Sequence, residues 1–115
     1  MNILDEIKNQ INGNTVILYM KGTPEFPMCG FSSKVVKILQ ILKTKFVYVN
    51  VLDNIQIRRM LPKYSDWPTF PQLYINGELI GGCDIISEMY DDKSLQEKLE
   101  AVKSIEKEES VSLPA

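Results

Sequence analysis

The amino-acid sequence predicts an α/β fold, in which a small mixed β-sheet is flanked by helices. Two short apolar runs, residues 15–20 and 46–51, have strand length and enclose a segment with helical periodicity. Strand, helix and strand in this order form a right-handed parallel crossover. Later in the chain, Asn76-Gly77 separates two further short apolar runs, which is a strong signal for an antiparallel hairpin. These observations predict a four-stranded mixed sheet with helices on both faces.

The first half of the chain supplies an N-terminal helix and the parallel unit. Asn2 is the predicted N-cap of the first helix, and Gly13 ends it. Residues 15–20 are continuously apolar, as in a central strand that is buried on both faces. A loop follows at residues 21–28, which contain one glycine and two prolines. The apolar helix positions are Ile3, Leu4, Ile7 and Ile11 in the first helix and Val35, Val36, Ile38, Leu39 and Leu42 in the second.

The second half adds a helix, the hairpin and two closing helices. Asn54 is the predicted N-cap of the third helix, and Ser94–Glu97 is a predicted capping box for the last one. The predicted domain comprises residues 1–103, because residues 104–115 are charged, lack an apolar stripe and are expected to form a disordered tail. The hairpin strands are residues 72–75 and 78–80, and the apolar helix positions are Ile57, Met60, Leu61, Ile85, Ile86, Met89, Tyr90, Leu95, Leu99 and Val102.

Composition excludes several function classes. The net charge is −2 and no basic block is present, so neither nucleic acid nor a membrane surface is an expected partner. No apolar run is long enough to span a bilayer, and no signal peptide is visible, so the expected location is the cytoplasm or, after trimming, an organelle. The chain has two cysteines and no histidine. It therefore lacks the residues for Cys-His proteases, Ser-His-Asp hydrolases and histidine-containing zinc sites.

Cys29 is the principal candidate for chemistry. It lies between the loop and the second helix, where free backbone N–H groups and the helix dipole favour a thiolate, and Lys21 ends the preceding strand. A Cys-x-x-Cys pair would need a thiol at position 32, but Ser32 stands there and is expected to cap the helix. Cys29 must therefore obtain a partner sulfur from elsewhere. The alternative, a small buried apolar residue, is disfavoured by the position beside glycine in a loop.

Further candidates occur in the second half, each with a structural alternative. The Phe70-Pro71 bond, before a strand, is either an ordinary trans bond or a cis bond that presents the Phe70 backbone to an extended ligand. Asp84 is either a helix cap or an acceptor for a ligand ammonium. Arg58 is either a solvated charge or a partner for a ligand carboxylate. Cys83 is either a small structural residue or a second thiol.

The chain resembles the monothiol glutaredoxins of the Cys-Gly-Phe-Ser class from about residue 3 to residue 99. Residues 23–27, the extended loop before the cysteine, also resemble that class rather than the two-cysteine glutaredoxins. The segments that carry the resemblance, in the order and spacing of the family, are Lys21-Gly22, Cys29-Gly30-Phe31-Ser32, Trp67-Pro68-Thr69-Phe70-Pro71-Gln72 and Gly81-Gly82-Cys83-Asp84.

The resemblance implies a thioredoxin-like (glutaredoxin) fold, a cis bond before Pro71 and a groove for glutathione. Lys21 and Arg58 would bind the glycine carboxylate of glutathione. The backbone of Phe70 would pair with the cysteinyl unit, and Cys83 with Asp84 would receive the γ-glutamyl end.

Two functions are compatible with this resemblance. In the first, the chain is a carrier rather than mainly an enzyme: Cys29 from each of two protomers and two glutathione sulfurs would ligate a [2Fe-2S] cluster in a homodimer. The cluster would pass to apo iron-sulfur proteins, and a BolA-like protein is a possible alternative partner. In the second, the chain is a glutathione-dependent oxidoreductase in which the Cys29 thiolate removes glutathione from mixed disulfides. Free glutathione, or in a variant Cys83, would then resolve the disulfide at Cys29.

Overall fold

The structure is a computed structural model that describes residues 2–109 of the 115-residue chain, and the side chains of residues 2–102. Helices and strands follow one another in the predicted order. In chain order the elements are α1 (Ile3–Gly13), β1 (Val16–Met20), α2 (Gly30–Ile41), β2 (Val47–Asn50), α3 (Ile55–Ser65), β3 (Gln72–Ile75), β4 (Glu78–Gly81), α4 (Cys83–Asp91) and α5 (Ser94–Glu109).

The four strands form one mixed sheet in the order β2-β1-β3-β4. β1 is parallel to β2, with α2 as the connection between them, and it is antiparallel to β3. β3 and β4 form the predicted hairpin, whose turn residues Asn76 and Gly77 have φ values of 52° and 81°. This left-handed backbone is what a two-residue type I′ turn requires. The predicted four-stranded mixed sheet is therefore confirmed.

β1 is central and separates two cores. All five of its residues are buried, which explains its uninterrupted apolar sequence. Successive side chains point to opposite faces of the sheet. Val16, Leu18 and Met20 pack in a core shared with α2, α4 and α5, whereas Ile17 and Tyr19 pack in a core shared with α1 and α3. The end of β1 is thereby held from both sides where the chain enters the loop that leads to Cys29.

The helix N-termini follow the prediction for α1, follow it in position only for α3, and depart from it for α5. Asn2 accepts a hydrogen bond of 2.9 Å from a backbone N–H of the first turn of α1. Asn54 is the N-cap residue of α3, as predicted, but its side chain makes no capping hydrogen bond, and its Nδ2 donates to the carbonyl of Asn50 at 2.9 Å. Ser94 is already helical, and its backbone N–H donates to Asp92 Oδ1 at 2.8 Å. The predicted capping box is therefore wrong, since the Asp92 carboxylate supplies the acceptor at this helix start.

The C-terminal part of the chain bears on the predicted domain boundary. The backbone of α5 continues to Glu109, past residue 103, where the predicted domain ends. The remaining part of the predicted tail, residues 110–115, lies outside the described residues. The boundary and the disorder of the tail therefore stay predictions. Within residues 2–109, no helix is both long and apolar enough to cross a membrane.

Candidate functional site

A groove of about 680 Å³ collects all six residues that the sequence singled out. Five places in the fold contribute to it: the end of β1, the start of α2, α3, the segment before β3 and the start of α4. The predicted residues on the groove are Lys21, Cys29, Arg58, Phe70, Cys83 and Asp84, and the other lining residues are Phe31, Pro62, Trp67, Pro68, Thr69, Pro71, Gly82 and Ile85. Its volume is within the range of small-molecule sites in proteins.

The loop between β1 and α2 folds back on itself and thereby determines where Cys29 lies. The backbone N–H of Met28 donates to the carbonyl of Lys21 at 2.9 Å, and Gly22 forms an isolated antiparallel bridge with Pro27. The N–H of Gly22 also donates to Asn50 Oδ1 at 2.9 Å, which ties the loop to the end of β2. The loop therefore closes a small backbone ring that returns the chain to the end of β1.

Cys29 occupies the N-cap position of α2, with extended backbone at φ −152° and ψ 134°. Its thiol is free and partly exposed on the groove, so the alternative of a buried apolar residue is wrong. A group at this position faces backbone N–H groups that have no partner within the helix. These are the surroundings in which a cysteine becomes a thiolate near neutral pH.

Ser32 is the third residue of α2 and does not cap it, so the predicted cap role is wrong. Its side chain is fully buried, and Oγ accepts a hydrogen bond of 3.2 Å from the backbone N–H of Lys21. The hydroxyl proton then remains available to the sulfur of Cys29. Ser32 therefore joins the end of β1 to the start of α2 and contacts the thiol at the same time.

The pKa of Cys29 is lower than that of an ordinary cysteine. Desolvation, the largest single influence, acts in the opposite direction and raises the pKa. Hydrogen bonds to the sulfur from the backbone of Ser32 and Phe31 and from the Ser32 hydroxyl lower it, as does the positive charge of Lys21, and together these outweigh desolvation. Because the folded state lowers this pKa, the ionised thiol stabilises the fold at alkaline pH, and the contribution is lost as the pH falls through the lowered pKa.

Ser32→Ala is expected to raise the pKa of Cys29 toward the ordinary value of about 8.5, because one hydrogen bond to the thiolate is removed. The rate of alkylation by iodoacetamide, measured from pH 5 to 10, should fall about two- to fivefold at pH 6. Ser33→Ala is the matched control: Ser33 donates its backbone N–H to the carbonyl of Cys29 at 2.9 Å, and alanine keeps that bond. Equal alkylation profiles for both variants would contradict a role of the Ser32 hydroxyl.

The start of α4 forms another wall of the groove. Gly82 is the N-cap, Cys83 is the first helical residue, and Asp84 follows in the first turn, so the interpretation of Asp84 as the cap is wrong. The Asp84 side chain is exposed, near helix N–H groups that carry partial positive charge. Cys83 is buried, and its sulfur lies 4.0 Å from Ser87 Oγ. Arg58 of α3, which is exposed, also lines the groove.

The segment between α3 and β3 forms a third wall, and more of its residues line the groove than the sequence predicted. The Phe70-Pro71 bond is cis, as the resemblance implied. Trp67, Pro68 and Thr69 also line the groove, although no role was predicted for their side chains. The signal was present in the Pro-punctuated stretch itself, which has no apolar periodicity and so is not explained by burial in a regular element.

Comparison with known proteins identifies the family. A family model described as Glutaredoxin matches residues 16–80. Glutaredoxin 4 of Buchnera aphidicola subsp. Acyrthosiphon pisum is 54% identical over 103 residues, which are 90% of this chain and 95% of that protein. The solution structure of reduced apo GrxS14 from poplar has a TM-score of 0.72 at 50% identity and covers 88% of this chain and 90% of its own.

A crystal structure of a buckwheat glutaredoxin-glutathione complex is also similar, with a TM-score of 0.77 at 25% identity, covering 87% of this chain and 89% of its own. The predicted thioredoxin-like fold is thereby confirmed. The chain belongs to the glutaredoxin family, as a monothiol member that is similar to glutaredoxin 4 and carries Cys29 in its Cys-Gly-Phe-Ser motif.

Proposed function

We propose that the chain binds a [2Fe-2S] cluster together with glutathione at a homodimer interface and transfers this cluster to apo iron-sulfur proteins in the cytoplasm. The observation that supports this most is a partly exposed Cys29 with a lowered pKa on a groove, with Ser32 in place of a second thiol. Among the described residues, no group of three or more Cys, Asp or Glu side chains is arranged to hold a metal ion. One protomer therefore contributes a single exposed thiolate and needs further ligands from outside.

Glutathione fits the charges of the groove. The ligand carries two carboxylates and one ammonium group, and the groove carries Lys21, Arg58 and Asp84 together with the N-terminus of α4. Carboxylates are stabilised by cations and by helix N-termini, and an ammonium group by a carboxylate. In this proposal Lys21 and Arg58 bind the glycine carboxylate, and the start of α4 binds the γ-glutamyl end. The buckwheat glutaredoxin complex, in which the ligand is glutathione, supports the same choice.

The number of sulfurs is consistent with the cargo. A [2Fe-2S] cluster requires four thiolate ligands. Two copies of Cys29 supply two of them, and one glutathione bound beside each copy supplies the other two. A two-fold axis relates the two halves of such a site, so the contact between protomers would be isologous. Because half of the ligands are small molecules that dissociate without unfolding the protein, the cluster can be released to a recipient.

A second candidate function is supported by the lowered pKa of Cys29. The thiolate attacks the glutathione sulfur of a protein mixed disulfide, so that the protein leaves as a thiolate and glutathione becomes disulfide-bonded to Cys29. A free glutathione thiolate then attacks this disulfide and leaves as oxidised glutathione, which regenerates Cys29. Ser32 cannot perform the second step, whereas Cys83, which lines the same groove, would resolve Cys29 only in the variant that forms an intramolecular disulfide.

Anaerobic reconstitution with iron, sulfide and glutathione is expected to give a coloured dimer, measured by visible absorption and gel filtration. Omission of glutathione should prevent both the colour and the dimer, because two of the four ligands are then missing. A protein that stays colourless and monomeric with glutathione present would contradict the carrier function and leave the oxidoreductase function as the better proposal.

Two adjacent arginines provide a matched test of the groove in the same assay. Arg58 lines the groove, whereas Arg59 is exposed and does not. Arg58→Met is expected to raise the glutathione concentration for half-maximal reconstitution by about three- to tenfold, since an exposed charge-assisted hydrogen bond is lost. Arg59→Met should leave this concentration unchanged. Equal effects of both substitutions would indicate general charge attraction rather than a carboxylate site at Arg58.

A further inference from the structure

Gln72, the first residue of β3, is a fully buried amide whose polar groups are all bonded. Its Nε2 donates to the carbonyl of Trp67 at 2.9 Å and to the carbonyl of Thr69 at 3.2 Å. Its Oε1 accepts a hydrogen bond of 2.9 Å from the Tyr74 hydroxyl. Because backbone carbonyls can only accept, these partners require the amide in this orientation. A buried amide whose two donors and acceptor are all hydrogen-bonded fixes the positions of its partners, in addition to filling space in the core.

The two carbonyls that Gln72 binds belong to the groove wall. Residues 67–70 form no helix or strand, and all four line the groove. At the start of this segment the backbone N–H of Trp67 donates to Ser65 Oγ at 3.2 Å, and Ser65 Oγ in turn donates to the carbonyl of Leu61 at 2.9 Å. The segment is therefore attached to α3 at one end, and Gln72 supplies two further bonds, to its first and third residues.

Tyr74 connects this attachment to the rigid part of the fold. Its ring packs edge-on against Tyr19 of β1, with centroids 5.8 Å apart and an interplanar angle of 82°. Burial, the largest cause, raises the pKa of Tyr74 to about 12, so its hydroxyl stays protonated and able to donate to Gln72 even at alkaline pH. Both residues lie on the same face of β3, two positions apart. The groove wall is thus fastened through Gln72 to the central strand pair.

We propose that Gln72 is a positioning residue, which holds the Trp67–Phe70 wall in the shape that binds glutathione without touching the ligand itself. The proposal rests on the proposed function for the identity of the ligand. It predicts that loss of the amide lowers glutathione affinity and loosens Trp67, while Cys29, held by its own contacts with Ser32 and Phe31, keeps its reactivity.

The test uses Gln72→Met, which is close in shape and has no polar atoms on the amide positions. Its dissociation constant for glutathione, measured by calorimetry, is expected to rise about five- to tenfold. Trp67 is the only tryptophan in the chain, so fluorescence quenching by acrylamide reports on the wall directly and should increase in the variant without ligand. The alkylation rate of Cys29 should stay at the wild-type value.

Tyr74→Phe is the control for a purely structural role, because it removes the third bond of Gln72 and leaves the two bonds to the wall. The double variant Gln72→Met with Tyr74→Phe also removes the Tyr74 hydroxyl, whose acceptor is lost in Gln72→Met. It should regain part of the lost stability, whereas its glutathione affinity should remain low. If the glutathione affinity of the three variants changes in proportion to their stability, the proposal is wrong. It is also wrong if Gln72→Met has the glutathione affinity and the Trp67 quenching of the wild type.

If Gln72→Met does not fold, the role of Gln72 can still be tested in the wild-type protein. Saturating glutathione should slow hydrogen exchange of the Gln72 Nε2 protons, measured by NMR, because coupling between ligand and wall is reciprocal. Unchanged exchange would overturn the proposal. A wild-type protein that does not bind glutathione at all would contradict the proposed function instead. Provided that Gln72→Met folds, its Trp67 quenching compared with that of Tyr74→Phe would then decide whether Gln72 holds the wall.

Discussion

Cys29→Ser is expected to abolish cluster binding completely, with no coloured species and no dimer after anaerobic reconstitution. The substitution removes two of the four thiolates of a dimer at once. A serine hydroxyl remains protonated near neutral pH, so it does not replace a thiolate as a ligand for iron. Visible absorption and iron and sulfide content per protomer measure the effect. Substantial cluster content in the variant would show that the ligands lie elsewhere and would contradict the site.

Cys83→Ser is the matched control for that result, because it removes the other cysteine of the chain. Cys83 is 8% exposed, and its sulfur lies beside Ser87 Oγ rather than at the exposed start of α2. The variant is therefore expected to retain most of the cluster, with at most a weaker affinity for glutathione at the start of α4. Equal loss of cluster in both variants would mean that Cys83 is itself a ligand.

Gly22→Ala is expected to destabilise the fold by about 2–4 kcal/mol, which corresponds to a fall in Tm of roughly 10–20 °C for a domain of this size. Gly22 has φ +97°, and a Cβ there would lie 2.5 Å from the carbonyl oxygen of Phe26 and 2.6 Å from the backbone nitrogen of Met28. These are backbone atoms of the loop that leads to Cys29, so they cannot move away as a side chain can. Thermal unfolding followed by circular dichroism measures the change.

Gly13→Ala tests whether this effect comes from the site or from the loss of any glycine. Gly13 is the last residue of α1, and an added Cβ meets nothing within 4 Å. We expect this variant to be as stable as the wild type or more stable by about 0.5 kcal/mol, because alanine favours the helix. Similar unfolding temperatures for Gly22→Ala and Gly13→Ala would contradict the close approach of the loop at Gly22.

The parts of the fold that were predicted correctly are those that leave a local pattern. The apolar run at residues 15–20 indicated a strand buried on both faces, and β1 lies in the centre of the sheet. Asn76-Gly77 indicated a hairpin because both residues tolerate positive φ, and the turn occurs there. Local patterns failed where several neighbouring polar residues could each accept the capping hydrogen bond of a helix. At the start of α5 the Asp92 carboxylate, and not Ser94, accepts the hydrogen bond.

The candidate site likewise has residues that a local pattern could predict and residues that it could not. Cys29 could be singled out because a cysteine between a loop and an apolar helix is unusual within the sequence itself. Lys21, Arg58, Phe70 and Asp84 are far apart along the chain, and their common purpose was implied by the family resemblance and not by spacing. Ser32 was expected to cap α2, yet it is buried and bonded to the backbone of Lys21, directly after β1. Hydrogen bonds between separate elements have no periodic signature, so they could not be foreseen.

The sequence by itself determined the order of helices and strands, the hairpin, the single thiol of the Cys29 motif and the absence of a second thiol at Ser32. Periodicity, turn residues and residue identity are local properties, so they can be recognised from short segments of the sequence. Only the tertiary structure decided that Gln72 holds the wall residue Trp67 and that Ser32 contacts both the Lys21 backbone after β1 and the thiol of Cys29. Both depend on which elements pack together, because side chains distant in sequence meet only after the sheet has formed.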